Sequence, residues 1–508
     1  MPSKITSAAL WGLDALPIEV EVDTSPGLHL FHIVGLPDKA VEEARERVGA
    51  ALRNSGFEPP HKKAHRVIVN LAPADIKKEG PSYDLPIAVG FLHATKQILF
   101  DPHNKLFVGE MALDGTIRPV AGILPIVEMA VKRGIGEIYV PHENIREASL
   151  VRGMPIYPVR SLHDLVNHLK GIAAITPHTE SMAAEPWQQT ASVDMAYIRG
   201  QEHAKRALEI AAAGGHNALL SGPPGSGKTL LAQAMVGILP SMSEAETIEV
   251  TKIFSVAGLL AGGRAVMRER PFRSPHHTAS GVALVGGGTH PKPGEITLAH
   301  RGVLFLDEFP EFGRAVLENL RQPLEDGMVT VSRAQGTVAF PARFTLIAAM
   351  NPCPCGNASD PEKECSCAPA SVTRYQRKLS GPLLDRIDLH VEVPRLAYEK
   401  LADQKVAEDS AAIRGRVEAS RKIQETRFAG TPHATNAEMG VKEVRAHCRI
   451  DTPGEALLKD AVERMKLSAR SYHHILKVSR TIADLAGLEH IAPHHIAEAI
   501  QYRRREET

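Results

Sequence analysis

Aromatic residues, net charge and long apolar runs are all scarce in this chain of 508 residues. Aromatics make up 5% of it, so Leu, Ile, Val and Ala must fill the cores. Lys and Arg together number 59, and so do Asp and Glu. This balance gives no overall attraction to nucleic acid, and any such contact must depend on local basic patches. No apolar run approaches the roughly 20 residues needed to cross a bilayer.

The start of the chain also lacks the apolar core of a secretory signal peptide, because acidic residues interrupt residues 1–22. We therefore expect a cytoplasmic protein with no membrane partner.

Cysteine is scarce as well. The chain has five, and four of them lie within residues 353–367. In that compartment such a cluster favours a metal site over a disulfide framework.

Length and changes of pattern divide the chain into several parts, since it is too long for one ordinary core. β-like runs at 18–22 and 66–70 alternate with helical stretches such as 38–54 in the first part. Later, strands alternate with helices, which predicts a parallel sheet. The predicted parts are an α+β domain, a linker, an α/β domain and a helical domain, over residues 1–172, 173–192, 193–395 and 396–508.

The strongest motif is a phosphate-binding loop, which fits the pattern G-x-x-x-x-G-K-[ST] in full. It lies between the apolar strand 217–221 and the helix 230–239, as the mechanism requires. Its residues are Gly222, Pro223, Pro224, Gly225, Ser226, Gly227, Lys228 and Thr229. The glycines let backbone N–H groups surround phosphates. Lys228 is expected to reach the β- and γ-phosphates and Thr229 to ligate Mg²⁺, so the predicted cofactors are ATP and Mg²⁺.

A pair of carboxylates follows a second apolar strand, predicted over 302–306. Asp307 and Glu308 would stand at the edge of an open parallel sheet, where ligands bind. Asp307 is expected to hold Mg²⁺, directly or through water, and Glu308 to polarise the attacking water. The alternative, a solvated acidic turn, is disfavoured because a complete phosphate loop precedes the pair.

Two more polar residues follow predicted strands or turns. Asn351 ends the apolar run 344–350, where it would orient water beside the γ-phosphate, although Asn is also common in turns. Arg386 stands between Asp385 and Asp388. It either forms a surface ion pair or is an arginine finger that reaches a neighbouring subunit's phosphate.

Five segments in this order resemble the magnesium-chelatase-related AAA+ ATPases, and among them the ComM/YifB branch. They are GPPGSGKT, GVLFLDEFPEF, AAMNPCPCG, GPLLDRIDLH and SRTIADLAG. The resemblance covers essentially the whole chain. It implies an α/β fold, an AAA+ P-loop NTPase core with a helical lid, preceded by an α+β Lon-protease-like domain. It also implies a homo-hexamer with ATP bound between subunits.

The resemblance further implies roles for single residues. Asn351 is similar to the sensor-1 residue, Arg386 to the arginine finger that acts in trans, and Arg470 to the sensor-2 arginine of the lid, with Arg480 as the alternative. The implied function is an ATP-hydrolysing motor on single-stranded or branched DNA, a branch-migration helicase used in natural transformation. The alternatives are a magnesium-chelatase-like motor that remodels a protein partner, and an ATP-dependent protease or unfoldase.

Two segments resemble the family's insertions, which line the central pore in related motors. They are 252–300 and 327–341, and the second alternates Val and Phe around Gly336, as is typical of a hairpin. Arg333 and Lys292 are candidate DNA-phosphate contacts or, alternatively, plain surface cations. For the adjacent pair His276 and His277, packing or hydrogen bonding is favoured over metal binding, because neighbours in sequence do not share a face.

The cysteine cluster consists of two close pairs in a polar loop, and four thiolates fit a tetrahedral structural Zn²⁺. Its members are Cys353, Cys355, Cys365 and Cys367. The C-x-C spacing is tighter than usual, and disulfides or free thiols are the alternative. Because the loop begins just after Asn351, a zinc ion would stiffen the chain between that residue and Arg386.

The first domain is predicted to be an inactive scaffold. Ser82 falls where the Lon-like family keeps its nucleophilic serine, but Leu124 occupies the place of the partner lysine. A serine without a base is unactivated.

Overall fold

The computed structural model describes residues 2–27, 30–62, 65–178, 193–260, 266–288, 291–333, 336–360, 362–396 and 407–503. The chain divides into two compact units. The first comprises residues 1–187 and 244–268, and the second comprises 188–243 and 269–508. Most of the predicted linker, residues 179–192, lies outside the described residues. Within the described ranges, every helix is too short or too polar to cross a membrane.

The first unit is built on a seven-stranded mixed sheet in the order β3-β4-β2-β1-β5-β8-β9, beside the two-stranded sheet β6-β7. The strands are β1 (Ser3–Trp11), β2 (Asp14–Pro26), β3 (Leu30–Val34), β4 (His65–Ala72), β5 (Lys105–Phe107), β6 (Glu110–Met111), β7 (Ile117–Arg118), β8 (Glu137–Pro141) and β9 (Ile156–Val159). Strands β1, β2 and β4 pair antiparallel, and the other neighbours in the large sheet are parallel. Ile18, Val20 and Val22 alternate along β2 and are fully buried, which is the period-two pattern of a half-buried strand.

Seven α-helices belong to the described part of the first unit: Lys39–Glu42, Ala44–Asn54, Asp84–Ala94, Ile123–Lys132, Ile145–Ala148, Leu162–Leu169 and Glu244–Val256. The stretch predicted to be helical over 38–54 is helical in the structure, as helices Lys39–Glu42 and Ala44–Asn54 with a break at Glu43. There the Arg47 guanidinium donates to the Ala40 carbonyl and to the buried Asp84 carboxylate, so a tertiary contact competes with a continuous helix.

Helix Glu244–Val256 follows the phosphate loop in sequence but belongs to the first unit. Lys252 donates to Glu128 over 2.8 Å and to Asp14 over 3.2 Å. The Ser255 carbonyl accepts from the Gly122 amide, and its hydroxyl donates to buried Glu147. The predicted insertion over 252–300 is therefore split, and only its residues from 269 onward belong to the second unit.

The second unit contains a parallel five-stranded sheet in the order β11-β14-β17-β10-β18. The strands of this unit are β10 (Ala218–Ser221), β11 (Phe272–Arg273), β12 (Gly286–Gly287), β13 (Lys292–Pro293), β14 (Val303–Leu306), β15 (Met328–Arg333), β16 (Gly336–Pro341), β17 (Thr345–Met350) and β18 (Leu389–Glu392). This sheet confirms the predicted α/β class. Strands β15 and β16 form the hairpin predicted over 327–341, with Arg333 opposite Gly336.

The described helices of the second unit divide between the sheet and the C-terminal region. Those up to residue 384 are Glu202–Gly214, Lys228–Ile238, Gly281–Val285, Glu295–Leu298, Arg314–Glu318, Arg321–Asp326, Pro369–Gln376 and Gly381–Leu384. The C-terminal region, as predicted, is helical: Ser410–Arg427, Val441–His447, Thr452–Met465, Ala469–Leu485 and Pro493–Gln501. One apolar core of Ala, Leu, Ile and Val side chains extends from the sheet into these C-terminal helices.

Candidate nucleotide-binding site

The register of the parallel sheet brings three predicted motifs to one edge. Ser221 pairs with Met350, and Leu306 pairs with Ala348, so strands β10, β14 and β17 end side by side. The phosphate loop, the acidic pair and the candidate sensor asparagine each follow one of these ends. This is the edge at which open parallel sheets bind ligands.

The phosphate loop needs its glycines for two different reasons. Gly225 and Gly227 have φ values of +77° and +92°, in the left-handed region that favours glycine. A β-carbon at Gly222 would lie 2.1 Å from the carbonyl oxygen of Val393, so this position must remain glycine for the loop to stay close to β18. Helix Lys228–Ile238 begins with the last two residues of the loop, so its N-terminus faces the glycine-rich part.

Lys228 is buried within the loop. Its Nζ donates to the carbonyls of Gly222 (2.7 Å) and Pro223 (2.9 Å) and contacts Oδ1 of Asn351 (3.3 Å). Burial lowers the pKa of this ammonium group, although the nearby Asp307 acts in the opposite direction. The three oxygens hold the ammonium beside the loop, and the contact with Asn351 joins two residues predicted separately.

Thr229 and Asp307 meet directly, since the threonine hydroxyl donates to Oδ2 of Asp307 over 2.9 Å. The other carboxylate oxygen accepts from the backbone amide of Glu308. A hydroxyl and a carboxylate beside a phosphate loop are hard oxygen ligands of the kind that Mg²⁺ prefers. The donor set therefore fits the predicted Mg²⁺ site.

Glu308 has a strained backbone and a partner that sequence reasoning missed. Its φ of +52° is unusual for a residue with a side chain. Nδ1 of His277 lies 3.0 Å from its Oε2, and the ring of His276 packs on His277 with centroids 4.1 Å apart. The histidine pair thus packs and hydrogen-bonds, as the sequence favoured, but nothing in the sequence indicated Glu308 as the partner.

The two candidate arginines, Arg386 and Arg470, meet at one carboxylate. Nη2 of Arg386 bonds Oε2 of Glu325, and Nη2 of Arg470 bonds Oε1 over 2.7 Å. Arg386 also donates to the Pro382 carbonyl through Nη1. Arg386 lies 61 positions from Glu325 in the sequence, and Arg470 lies 145 positions from it. The tertiary fold brings the three residues together, and no local sequence pattern indicates this contact.

Arg480, the alternative to Arg470, lies elsewhere. Its side chain is buried in the C-terminal helices and donates to Asp484 and to the carbonyls of Leu488 and Glu489. Arg427 pairs with the same aspartate. These contacts engage the guanidinium of Arg480 within the helical region, whereas 40% of the Arg470 side chain is exposed.

The four clustered cysteines converge in space. One sulfur from each lies within 4.8 Å of the others, and Sγ of Cys353 is 3.3 Å from that of Cys355 and 3.6 Å from that of Cys365. Zn–S bonds of about 2.3 Å in a tetrahedron place sulfurs at comparable separations. A hydrogen bond from the Asn357 amide helps to lower the pKa of Cys355 to about 6, whereas burial and hydrogen bonds from neighbouring thiols raise the pKa values of Cys365 and Cys367. The donor set therefore fits the predicted Zn²⁺ site.

The cysteine loop also touches the phosphate loop. Gly356 lies so close to Pro224 that an added β-carbon would be 2.5 Å from its Cδ. Cys353, at the start of the cysteine loop, is fully buried. The contact between Gly356 and Pro224 therefore couples the position of the cysteine loop to that of the phosphate loop.

Comparison with known proteins identifies the family. Residues 194–401 match the family described as magnesium chelatase, subunit ChlI, and 407–503 match its C-terminal part. Residues 20–144 match the family described as subunit ChlI of Mg-chelatase. Competence protein ComM of Haemophilus influenzae is 46% identical over 98% of this chain and 97% of its own length. The chain belongs to the ComM/YifB branch of the magnesium-chelatase-related AAA+ ATPases.

Other relatives agree with this placement. YifB of Escherichia coli K12 is 42% identical over 98% of this chain and 96% of its own length. Lon protease 2 of Bacillus subtilis is 28% identical, but over 27% of this chain and 23% of its own length. The likeness to Lon proteases is therefore partial, while the likeness to the ComM/YifB branch spans the whole chain.

The Lon-like part of this ComM-branch chain contains the residues noted in the sequence. Ser82 lies in a 3₁₀ turn, Pro81–Tyr83, and its carbonyl accepts from the Gly109 amide. Leu124 is fully buried near the start of helix Ile123–Lys132, where its amide donates to Glu147. An aliphatic side chain at this position cannot serve as a base, and the inactivity of this domain stays a prediction.

Proposed function

We propose that this ComM-branch ATPase is a cytoplasmic homo-hexameric motor that uses ATP hydrolysis to move single-stranded or branched DNA. The observation that carries the proposal is the meeting of Lys228, Thr229, Asp307 and Asn351 at one sheet edge, in a chain related to a competence protein over its full length. We keep the domain boundaries proposed from the sequence, except that residues 244–268 belong to the first compact unit.

ATP hydrolysis would use these residues in distinct roles. Gly222 to Thr229 would cradle the phosphates, and Lys228 would exchange its backbone carbonyl contacts for phosphate oxygens. Thr229 and Asp307 would hold Mg²⁺, which neutralises negative charge on the phosphates when bound. Glu308 would polarise the attacking water, with Asn351 beside it as sensor 1.

Two arginines would complete the site, and one of them, Arg386, would do so across a subunit boundary. We assign Arg386 to the arginine finger and retain Arg470, rather than Arg480, as the sensor-2 candidate, because Arg480 is buried on Asp484. A site completed by a neighbour would make hydrolysis depend on subunit assembly. Glu308→Gln should bind ATP and assemble but hydrolyse about 100-fold to 10,000-fold more slowly, the usual size of a general-base contribution.

DNA contact is assigned to the hairpin β15–β16 and to the β12–β13 hairpin. Lys292 is exposed, whereas the side chain of Arg333 lies outside the described residues. Phosphate contacts release counterions, so binding should weaken with salt and show little base preference. Arg333→Ala should reduce DNA-stimulated ATPase while basal ATPase and assembly persist, and Arg464→Ala on the C-terminal helices serves as the control.

The cysteine cluster is proposed to hold one structural Zn²⁺. The convergence of four sulfurs and the position of the cysteine loop against Pro224 support it. The ion would fix the loop that separates Asn351 from Arg386.

A magnesium-chelatase-like motor acting on a protein partner is the second candidate, because three segments match families named for that enzyme. Steady-state ATPase with single-stranded, duplex and branched DNA discriminates between the two. Stimulation by DNA supports the DNA motor. An active ATPase that does not bind DNA supports the chelatase-like motor.

A further inference from the structure

The carboxylate of Glu325 accepts hydrogen bonds from both arginines that are proposed to take part in ATP hydrolysis. Its two oxygens each accept from a different guanidinium, one from Arg386 and one from Arg470. The side chain of Arg386 is 11% exposed in this arrangement, and that of Glu325 is 49% exposed. A single acidic side chain therefore bridges the end of the sheet domain to the first turn of helix Ala469–Leu485.

A carboxylate and a phosphate compete for the same guanidinium donors. Both are anions that accept charge-assisted hydrogen bonds from the Nη atoms. In the described structure Nη1 of Arg386 is held by Pro382, Nη2 by Glu325, and its buried Nε has no hydrogen-bond acceptor. Arg386 would gain an acceptor for Nε, and a replacement for Glu325, if it turned to a neighbour's phosphate.

Glu325 is also next to the hairpin assigned to DNA. It lies on helix Arg321–Asp326, and Gly327 alone separates that helix from β15. Gly327 has a φ of +65°, and its carbonyl accepts from the amide of Ala342, which follows β16 at the base of the hairpin. A displacement of the hairpin would therefore move Glu325 through a short, hydrogen-bonded connection.

We propose that Glu325 is a positioning residue that holds Arg386 away from the neighbouring subunit's phosphate, and Arg470 away from the nucleotide, until the β15–β16 hairpin is displaced by DNA. This inference rests on the proposed function for its DNA step. The retention of the arginines by Glu325 does not require DNA, and it can be measured separately.

The test is Glu325→Gln in full-length, ring-forming protein. Loss of the charge should raise basal kcat at least threefold, leave KM for ATP within twofold, and lower the ratio of DNA-stimulated to basal rate. Glu325→Asp, which keeps the charge, should return basal kcat towards that of the parent.

Asp460→Asn is the matched control. Asp460 pairs with Arg464 over 2.8 Å and is 50% exposed, close to the exposure of Glu325, but lies on helix Thr452–Met465. The basal kcat of the Asp460→Asn variant should equal that of the parent. A basal kcat of Glu325→Gln that is unchanged or reduced, in rings of normal size, would overturn the inference. If that variant does not form rings, an increased basal kcat in Glu325→Asp would overturn it equally.

The two proposals fail in different ways. A parent protein whose ATPase ignores DNA would contradict the proposed function, whereas a rise in basal kcat on Glu325→Gln would still support retention of the arginines. A DNA-stimulated parent whose Glu325→Gln variant keeps the same basal rate would contradict only the role of Glu325.

Discussion

Gly356 offers a direct test of the contact between the cysteine loop and the phosphate loop. In Gly356→Ala the added methyl would lie 2.5 Å from Cδ and 2.7 Å from Cγ of Pro224. The residue has a φ of +84°, where an L-amino acid costs about 1–2 kcal/mol. The steric overlap of the methyl with Pro224 should destabilise the folded protein by about a further 1–3 kcal/mol. Some of this energy should be relieved by a shift of the phosphate loop, and nucleotide binding should report that shift.

Gly430→Ala separates the two contributions. Gly430 has a φ of +79°, but nothing lies within 4 Å of an added β-carbon, so this variant carries the backbone strain without the crowding. We expect ATP to bind about tenfold more weakly to Gly356→Ala than to Gly430→Ala, a difference of about 1.4 kcal/mol. Titration of a fluorescent ATP analogue, with Glu308→Gln present in each protein to prevent turnover, measures it. Equal affinities in folded, metal-loaded variants would refute the reasoning.

Three further predictions concern the ring, the metal and the core. Arg386→Ala should bind ATP without hydrolysing it, and mixing it with Lys228→Ala should restore some activity, because one type of interface keeps both groups; inactive rings shown to be mixed would contradict a role in trans. Elemental analysis of anaerobically purified protein should find about one zinc per chain, and a folded, metal-free protein would contradict that site. Asp388→Asn should lower the free energy of unfolding by about 3 kcal/mol near neutral pH, because a buried carboxylate bonded to His474 is lost. Burial alone would raise the pKa of Asp388, but His474 and His216 outweigh it and hold the pKa well below its usual value. A folded-state pKa below the unfolded value of about 3.9 means that this stabilisation is present above that pH and is lost as pH falls through the folded pKa. Unfolding measured against pH should therefore show the parent and Asp388→Asn converging in strong acid, and parallel profiles would contradict it.

The sequence predicted the elements whose signals are local. The strands expected over 217–221, 302–306 and 344–350 are β10, β14 and β17, each shorter than the prediction by one residue at its start. The hairpin over 327–341 and the helical C-terminal region were also predicted correctly. Apolar runs bounded by glycine or polar residues specify such elements through their own periodicity. The cysteines could be grouped because they are close in sequence as well as in space.

Contacts between distant segments could not be predicted in the same way. Helix Glu244–Val256 packs in the N-terminal unit, Glu325 receives two arginines, and Gly356 lies against Pro224. Each contact depends on how separate elements are placed by the tertiary fold, and neither composition nor spacing encodes that placement. The pairing of His277 with Glu308 belongs to the same class, since its signal in the sequence was an isolated histidine pair.

The work done by the motor is the central claim, and ATP-dependent movement of a four-way DNA junction tests it most directly. Purified protein should release a labelled product strand when ATP and Mg²⁺ are present, and release should decline as salt weakens the phosphate contacts. Glu308→Gln should bind the junction and ATP but release almost no strand. A purified ring that hydrolyses ATP yet neither binds nor moves single-stranded or branched DNA would contradict the account.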